Sequence, residues 1–119
     1  MERLRRRSEF RAVARGSRVT RPGFVIQALP SVESRAGARF GFTVTKKIGN
    51  AVVRNRIRRR LREVVRLSAA GVAAPGVDYV LIGRHAALSL PFDRLVDDFR
   101  SGLGAIGRRD RNAGDRSAT

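Results

Sequence analysis

Residues 51–66 read AVVRNRIRRRLREVVR, a run in which seven of sixteen residues are arginine and Glu63 is the only acid. At 100° per residue, Val53, Ile57, Leu61, Val64, Val65 and Ser68 gather within an arc of about 120°. Asn55, Arg58, Arg59, Arg62 and Arg66 fall on the far side, and Arg56 and Arg60 flank the edge of the apolar arc. The pattern predicts a helix that buries one aliphatic stripe and carries a cationic one about 16 Å long. Such a helix must find an apolar surface elsewhere in the chain, and that requirement organises the rest of the reading.

The segments on either side supply it. Residues 39–45, RFGFTVT, alternate Phe40, Phe42 and Val44 with Arg39, Gly41, Thr43 and Thr45, as a strand with one apolar face and one small, polar face does. Between strand and helix stands KKIGN, where Gly49 is available for a positive φ and Asn50 can cap the helix. Upstream, FVIQALP (24–30) is a second strand, SVESRAG (31–37) a loop, and SEFRAVAR (8–15) a short helix with Ser8 as N-cap and Gly16 at its end. Downstream, AGVAAPG breaks the arginine helix near Ala70. VDYVLIGR (77–84) reads as a largely buried strand. Residues 91–106 place Phe92, Leu95, Val96, Phe99, Leu103 and Ile106 at helical spacing, and RRDRNAGDRSAT from Arg108 has no apolar anchor. The expected architecture is one α+β domain over 1–107, in the order α-β-β-β-α-β-α, with helices packed on a mixed sheet, followed by a disordered basic tail over 108–119.

The chain's 119 residues hold 26 Lys and Arg against 10 Asp and Glu, a formal +16. Residues 1–66 account for a net +15 of this, so the cationic field belongs to the first half. Like charges at helical spacing repel by a few tenths of a kcal/mol per pair, and with Glu63 alone among residues 46–66 the cluster has no internal remedy. A polyanion does. Arginine's planar fork suits phosphate, and Lys46 and Lys47 sit beside a helix N-terminus whose free N–H groups also favour an anion. The competing reading is a solvated charged face with local ion pairs. No cysteine is present, MERLRRRSEF has no apolar run behind its basic residues, and no stretch is long enough to span a membrane, so the expected setting is the cytoplasm.

Residues 42–63, FTVTKKIGNAVVRNRIRRRLRE, resemble the signature of the bacterial ribonuclease P protein subunit, whose core is the triplet Arg54–Asn55–Arg56. The resemblance extends from about Ser8 through the last helix. It implies a compact α/β domain with a left-handed crossover through the arginine helix. It also implies a partner: the catalytic RNA that removes the 5′ leader of precursor tRNA in a magnesium-dependent hydrolysis, bound by one monomeric protein. The protein does not cleave. Carried over from the family's motif, Lys46, Lys47, Asn50, Arg54, Asn55, Arg56, Arg58, Arg59 and Arg62 would contact the catalytic RNA. Phe10, Phe24, Thr43, Thr45 and Arg84 would line a cleft for the single-stranded leader. Ala14 and Gln27 stand where members of the family often carry aromatic residues.

The residues themselves offer little for a catalytic site. His85 is the sole histidine. Asp93, Asp97 and Asp98 crowd one helix start, as ordinary partners of its dipole do. KKIGN lacks the full phosphate-loop pattern. No catalytic residue and no metal ligand is nominated, and a protein-only nuclease is disfavoured. A ribosomal or other structural RNA-binding protein without a leader cleft remains the alternative. Phe10 remains open between leader contact and simple core packing.

Overall fold

The computed structural model describes the backbone of residues 2–31 and 37–118 and the side chains of residues 3–31 and 37–108. The elements are β1 (Glu2–Arg3), α1 (Arg7–Val13), β2 (Ser17–Thr20), β3 (Phe24–Pro30), β4 (Arg39–Thr43), α2 (Ala51–Ser68), β5 (Val77–Gly83) and α3 (Phe92–Ala118). Two 3₁₀ turns, Lys46–Ile48 and His85–Leu88, lead into α2 and α3. The strands form one mixed sheet in the order β1-β4-β5-β3-β2. β1, β4 and β5 run parallel, and β3 and β2 extend the sheet in antiparallel pairing. The expected α+β order is therefore observed, with the two-residue β1 added before the first helix. β4 and β5, neighbours in parallel, are joined through α2.

Strand alternation assigns the two faces. Phe24, Ile26, Ala28, Phe40, Tyr79 and Leu81 share one, where they pack with Ile57, Leu61, Val64 and Val65 of α2 and Leu95, Phe99, Leu103 and Ile106 of α3. Phe40 stacks on Tyr79 at 5.1 Å between ring centroids. These are the α2 positions on the predicted apolar arc, with Val53 half-buried at its upper end. The opposite face carries Gln27, Val80, Ile82, Gly41 and Thr43, and α1 covers part of it through Phe10 and Val13, with Leu4 of the preceding segment. β5 is buried along most of its length because both of its faces are covered, which explains its continuous apolar run.

Three local expectations change. α1 begins one residue before Ser8, with Arg6 as its N-cap. Glu9, at the third helical position, accepts from the backbone N–H groups of Arg6 (3.0 Å) and Arg5 (3.3 Å), a charged acceptor that outcompetes a serine hydroxyl. Gly49 has φ 162°, which is extended backbone and not a left-handed turn; a Cβ there would stand 3.1 Å from Val53 Cβ. α3 continues past Ile106, where the apolar spacing ends, through the stretch 108–118 expected to be a disordered tail. Helix propagation needs only one further hydrogen bond per residue once nucleated, and that stretch contains no proline. The loop expected at 31–37 falls largely outside the described residues, as do the side chains beyond Arg108.

α1 has only two turns and a small apolar contact, so its placement draws on a second device. Arg39 donates to both carboxylate oxygens of Asp78, at 2.9 and 2.8 Å, and pairs with Glu9 at 2.5 Å. Glu9 therefore caps α1 and ties it to β4 and β5 at once. The backbone donors of Arg6 and Arg5, together with Arg39, hold its carboxyl below the ordinary glutamate range, while Asp78 raises Arg39. Folded Glu9 binds a proton less readily than unfolded Glu9. Its contribution is therefore complete above the ordinary value of 4.5 and is lost as pH falls through the lowered folded value. Glu9→Gln keeps a cap acceptor and removes the charge. Urea unfolding should find it less stable than the parent at about pH 6, with the gap closing below about pH 4; a gap constant across that range would mean the charge contributes nothing.

Candidate nucleic-acid interface

Asn50 begins α2, its Oδ1 accepting from the N–H of Val53 at 3.0 Å, as its cap role predicts. Lys46 and Lys47, exposed on the preceding 3₁₀ turn, bring two cations to the same end of the helix. Arg54 uses its Nε on the carbonyl of Gly49 (3.2 Å), which braces the turn and leaves its terminal nitrogens for another acceptor. Asn55 and Arg58 are joined, Nη1 to Oδ1, at 2.7 Å. Arg56 and Arg59 are exposed and have no polar partner among the described residues. Because the aliphatic arc is buried, these side chains point outward as one ridge, which is the arrangement the helical phase predicts.

Two arginines of the run are otherwise engaged. Arg60 turns toward the 3₁₀ turn before α3 and donates to the carbonyls of Ala87 and Leu90 (2.8 Å to the latter), so it clamps α2 to the entry of α3. Arg66 pairs with Glu63, Nε to Oε2 at 3.0 Å, on the outer surface. Arg62, placed on the ridge by sequence, instead leans over the edge of β4, its guanidinium 6.0 Å from the ring centroid of Phe42. Its Nε is buried and has no hydrogen-bond partner among the described residues. Burial first, then the charges of Arg3 and Arg58, push its pKa down. A cation made less comfortable by desolvation and like charge is a site where an anion brings relief.

Arg62 also opens onto a groove between α1 and the sheet. Two adjoining hollows of about 400 and 360 Å³ share Arg5, Phe10 and Phe42; Gln27, Thr43 and Val80 line one, and Arg3, Gly41 and Arg62 the other. Phe10 lies directly over Gly41, where a Cβ would stand 2.5 Å from its ring, so glycine is what lets the ring reach the strand. Phe10 thus does both things left open by sequence: it packs with Leu4, Val13 and Val80, and it walls the groove. Thr43 lies where it was expected. Phe24 does not, since it is 0% exposed; it shares the parity of Ile26 and so faces α2 and α3. Thr45 lies beyond the end of β4, exposed at the start of the Lys46–Ile48 turn. Arg84 is outside the groove lining, its Nη1 3.4 Å from the carbonyl of Arg21 in the β2–β3 turn. Arg3, Arg5 and Arg7 were missed; the signal was RLRRR, a basic run whose single leucine, Leu4, is buried and anchors it.

A family model described as Ribonuclease P matches residues 1–107. The chain belongs to the ribonuclease P protein family. Among curated members, the ribonuclease P protein component of Gluconacetobacter diazotrophicus is 54% identical over 108 residues, covering 90% of this chain and 92% of that one. That of Brucella suis is 43% identical over 121 residues, covering 96% and 85%. Among solved structures, the ribonuclease P protein from Thermotoga maritima superposes with a TM-score of 0.71 at 27% identity, covering 91% of this chain and 97% of that one. The ridge and groove described above both lie within the span that matches the ribonuclease P family. Among the described residues no group of three or more His, Asp or Glu side chains lies together, and Asp98 accepts from Arg94 Nε at 3.3 Å. No helix among them is long and apolar enough to cross a membrane.

The division of labour along α2 is testable. Arg60→Ala strands two carbonyls and should lower stability by about 1–3 kcal/mol, whereas Arg59→Ala should stay within about 0.5 kcal/mol. Urea denaturation of the two variants distinguishes them, and equal effects would contradict the clamp.

Proposed function

We propose that the chain is the protein subunit of ribonuclease P, which binds the catalytic RNA of that ribonucleoprotein and the 5′ leader of precursor tRNA during leader removal. The observation that carries this reading is the continuity of the basic ridge of α2 with the groove beneath α1 through Arg62. The relatives named ribonuclease P protein component support it.

On this reading the RNA subunit cleaves, with magnesium ions held by the ribonucleoprotein, and the protein contributes binding and position. Lys46, Lys47, Asn50, Arg54, Asn55, Arg56, Arg58 and Arg59 face the catalytic RNA, one protein to one RNA, in the cytoplasm. Guanidinium forks take phosphates bidentately and displace condensed counterions. A formal +16 speeds encounter with the polyanion and makes binding strongly salt-dependent. The leader strand enters the groove with its backbone near Arg3, Arg5, Arg7 and Arg62 and a base against Phe10. Thr43 completes the wall; Thr45 and Arg84 act outside it, and Phe24 acts only through the core.

Reconstitution is the decisive experiment. Adding the chain to ribonuclease P RNA at low magnesium should restore cleavage of precursor tRNA at the mature 5′ end. No stimulation would favour a structural RNA-binding protein, and cleavage without the RNA would overturn the assignment of chemistry. Replacing Arg54 and Arg56 together by alanine should flatten the log–log salt dependence of binding to the catalytic RNA by about 0.7–0.9 for each phosphate no longer neutralised. An unchanged slope would move the RNA-binding surface elsewhere. Phe10→Leu keeps apolar packing over Gly41 and removes the ring. It should reduce the preference for leader-bearing over mature tRNA by about 1 kcal/mol or more while sparing affinity for the catalytic RNA.

A further inference from the structure

Gln27 is an oddity of the sheet. It sits in the middle of β3, 6% exposed, on the face where Val80 and Ile82 make the apolar contact with α1. Its side-chain amide has no hydrogen-bond partner among the described residues, yet it lines the groove. An amide buried without partners is unfavourable, and an aliphatic side chain would suit this position better for packing alone. The strand fixes its Cα, so the polar end can meet a partner only from the groove.

The sheet register says what it would meet. Gln27 pairs with Val80, and Val80 pairs with Gly41, over which the ring of Phe10 lies. Amide and ring therefore stand on one row, separated by about two strand spacings, roughly 10 Å, with the flat, buried Val80 between them. A planar group held against Phe10 over Val80 presents its edge to Gln27. The amide offers a donor and an acceptor side by side. Phosphate offers only acceptors, and Arg5 and Arg7 on the same groove already supply donors for it. A nucleobase edge, with donor and acceptor adjacent, uses both halves of the amide.

We propose that Gln27 is a specificity-determining residue that reads the edge of one leader base by paired hydrogen bonds while Phe10 holds the base's face. The inference rests on the leader reading above. It adds that the holoenzyme discriminates among bases at one leader position, and that the discrimination resides in an amide and not in the ring.

The test uses the reconstituted holoenzyme with a pool of precursor tRNAs randomised across the leader, reading relative kcat/KM for each base at each position. The parent should show one position where best and worst base differ by about fivefold or more. Gln27→Leu should flatten that position to less than about twofold while leaving the advantage of leader-bearing over leaderless ligand. Gln27→Glu, which can only accept, should reorder the preference toward bases that carry an amino group on the edge. A preference that survives unchanged in Gln27→Leu overturns the proposal. So does a parent without any base preference, and so does a uniform fall in rate for all leaders, which would reveal a packing role. Absence of any leader advantage in the parent would instead sink the leader reading itself, and the leaderless arm reports that separately.

Discussion

The packing of one side of α2 against the sheet governs the molecule. Ile57, Leu61, Val64 and Val65 are each 0% exposed, and their burial fixes the rotation of the helix about its own axis. Once that rotation is set, the arginines between them have no freedom to choose a face. Some project into solvent, Arg60 reaches the turn before α3, and Arg62 is delivered over the edge of β4. The repulsion among these cations is tolerated because the aliphatic contact beneath holds the helix in place. A hydrophobic stripe in the core thereby becomes a cationic stripe outside.

The groove has a different origin. α1 covers the sheet face opposite to α2 and α3, but two turns of helix cover only part of it. What remains open is a strip of floor formed by Gln27, Val80 and Thr43, bounded by Phe10 and Phe42. Its width depends on how close α1 can approach β4, which Gly41 permits by lacking a Cβ and the Glu9–Arg39–Asp78 network secures by charge. Two of the few acids in a strongly basic chain are committed to that network. With Arg3 and Arg5 on the same side as Arg62, the positive potential of the ridge runs into the groove without interruption.

Much of this was legible before any coordinates. The 3.6-residue period of residues 51–66 carries both the buried arc and the exposed ridge, because a helix under one-sided burial has a single solution for its phase. The alternation in residues 39–45 likewise separated Phe40 from Gly41 and Thr43. Propensity and capping were less reliable guides: Glu9 displaced Ser8 as the source of the cap, and α3 ran on past its last apolar residue. Phe24 and Arg84 were misplaced for a simpler reason. Their proximity to a cleft depends on strand parity and on where strands end, and both are settled by sheet pairing.

The amino-acid sequence by itself determined the class of fold, the buried face of α2, the cationic surface and the family, since each is written in local periodicity, composition or a contiguous motif. Only the tertiary structure decided which arginines are free, which aromatic ring walls the groove, and that Gln27 is buried on its floor without a partner among the described residues. Those properties arise where β3, β4, β5 and α1, distant along the chain, are brought onto one sheet face. A side chain's availability is set by neighbours that no window of local sequence contains.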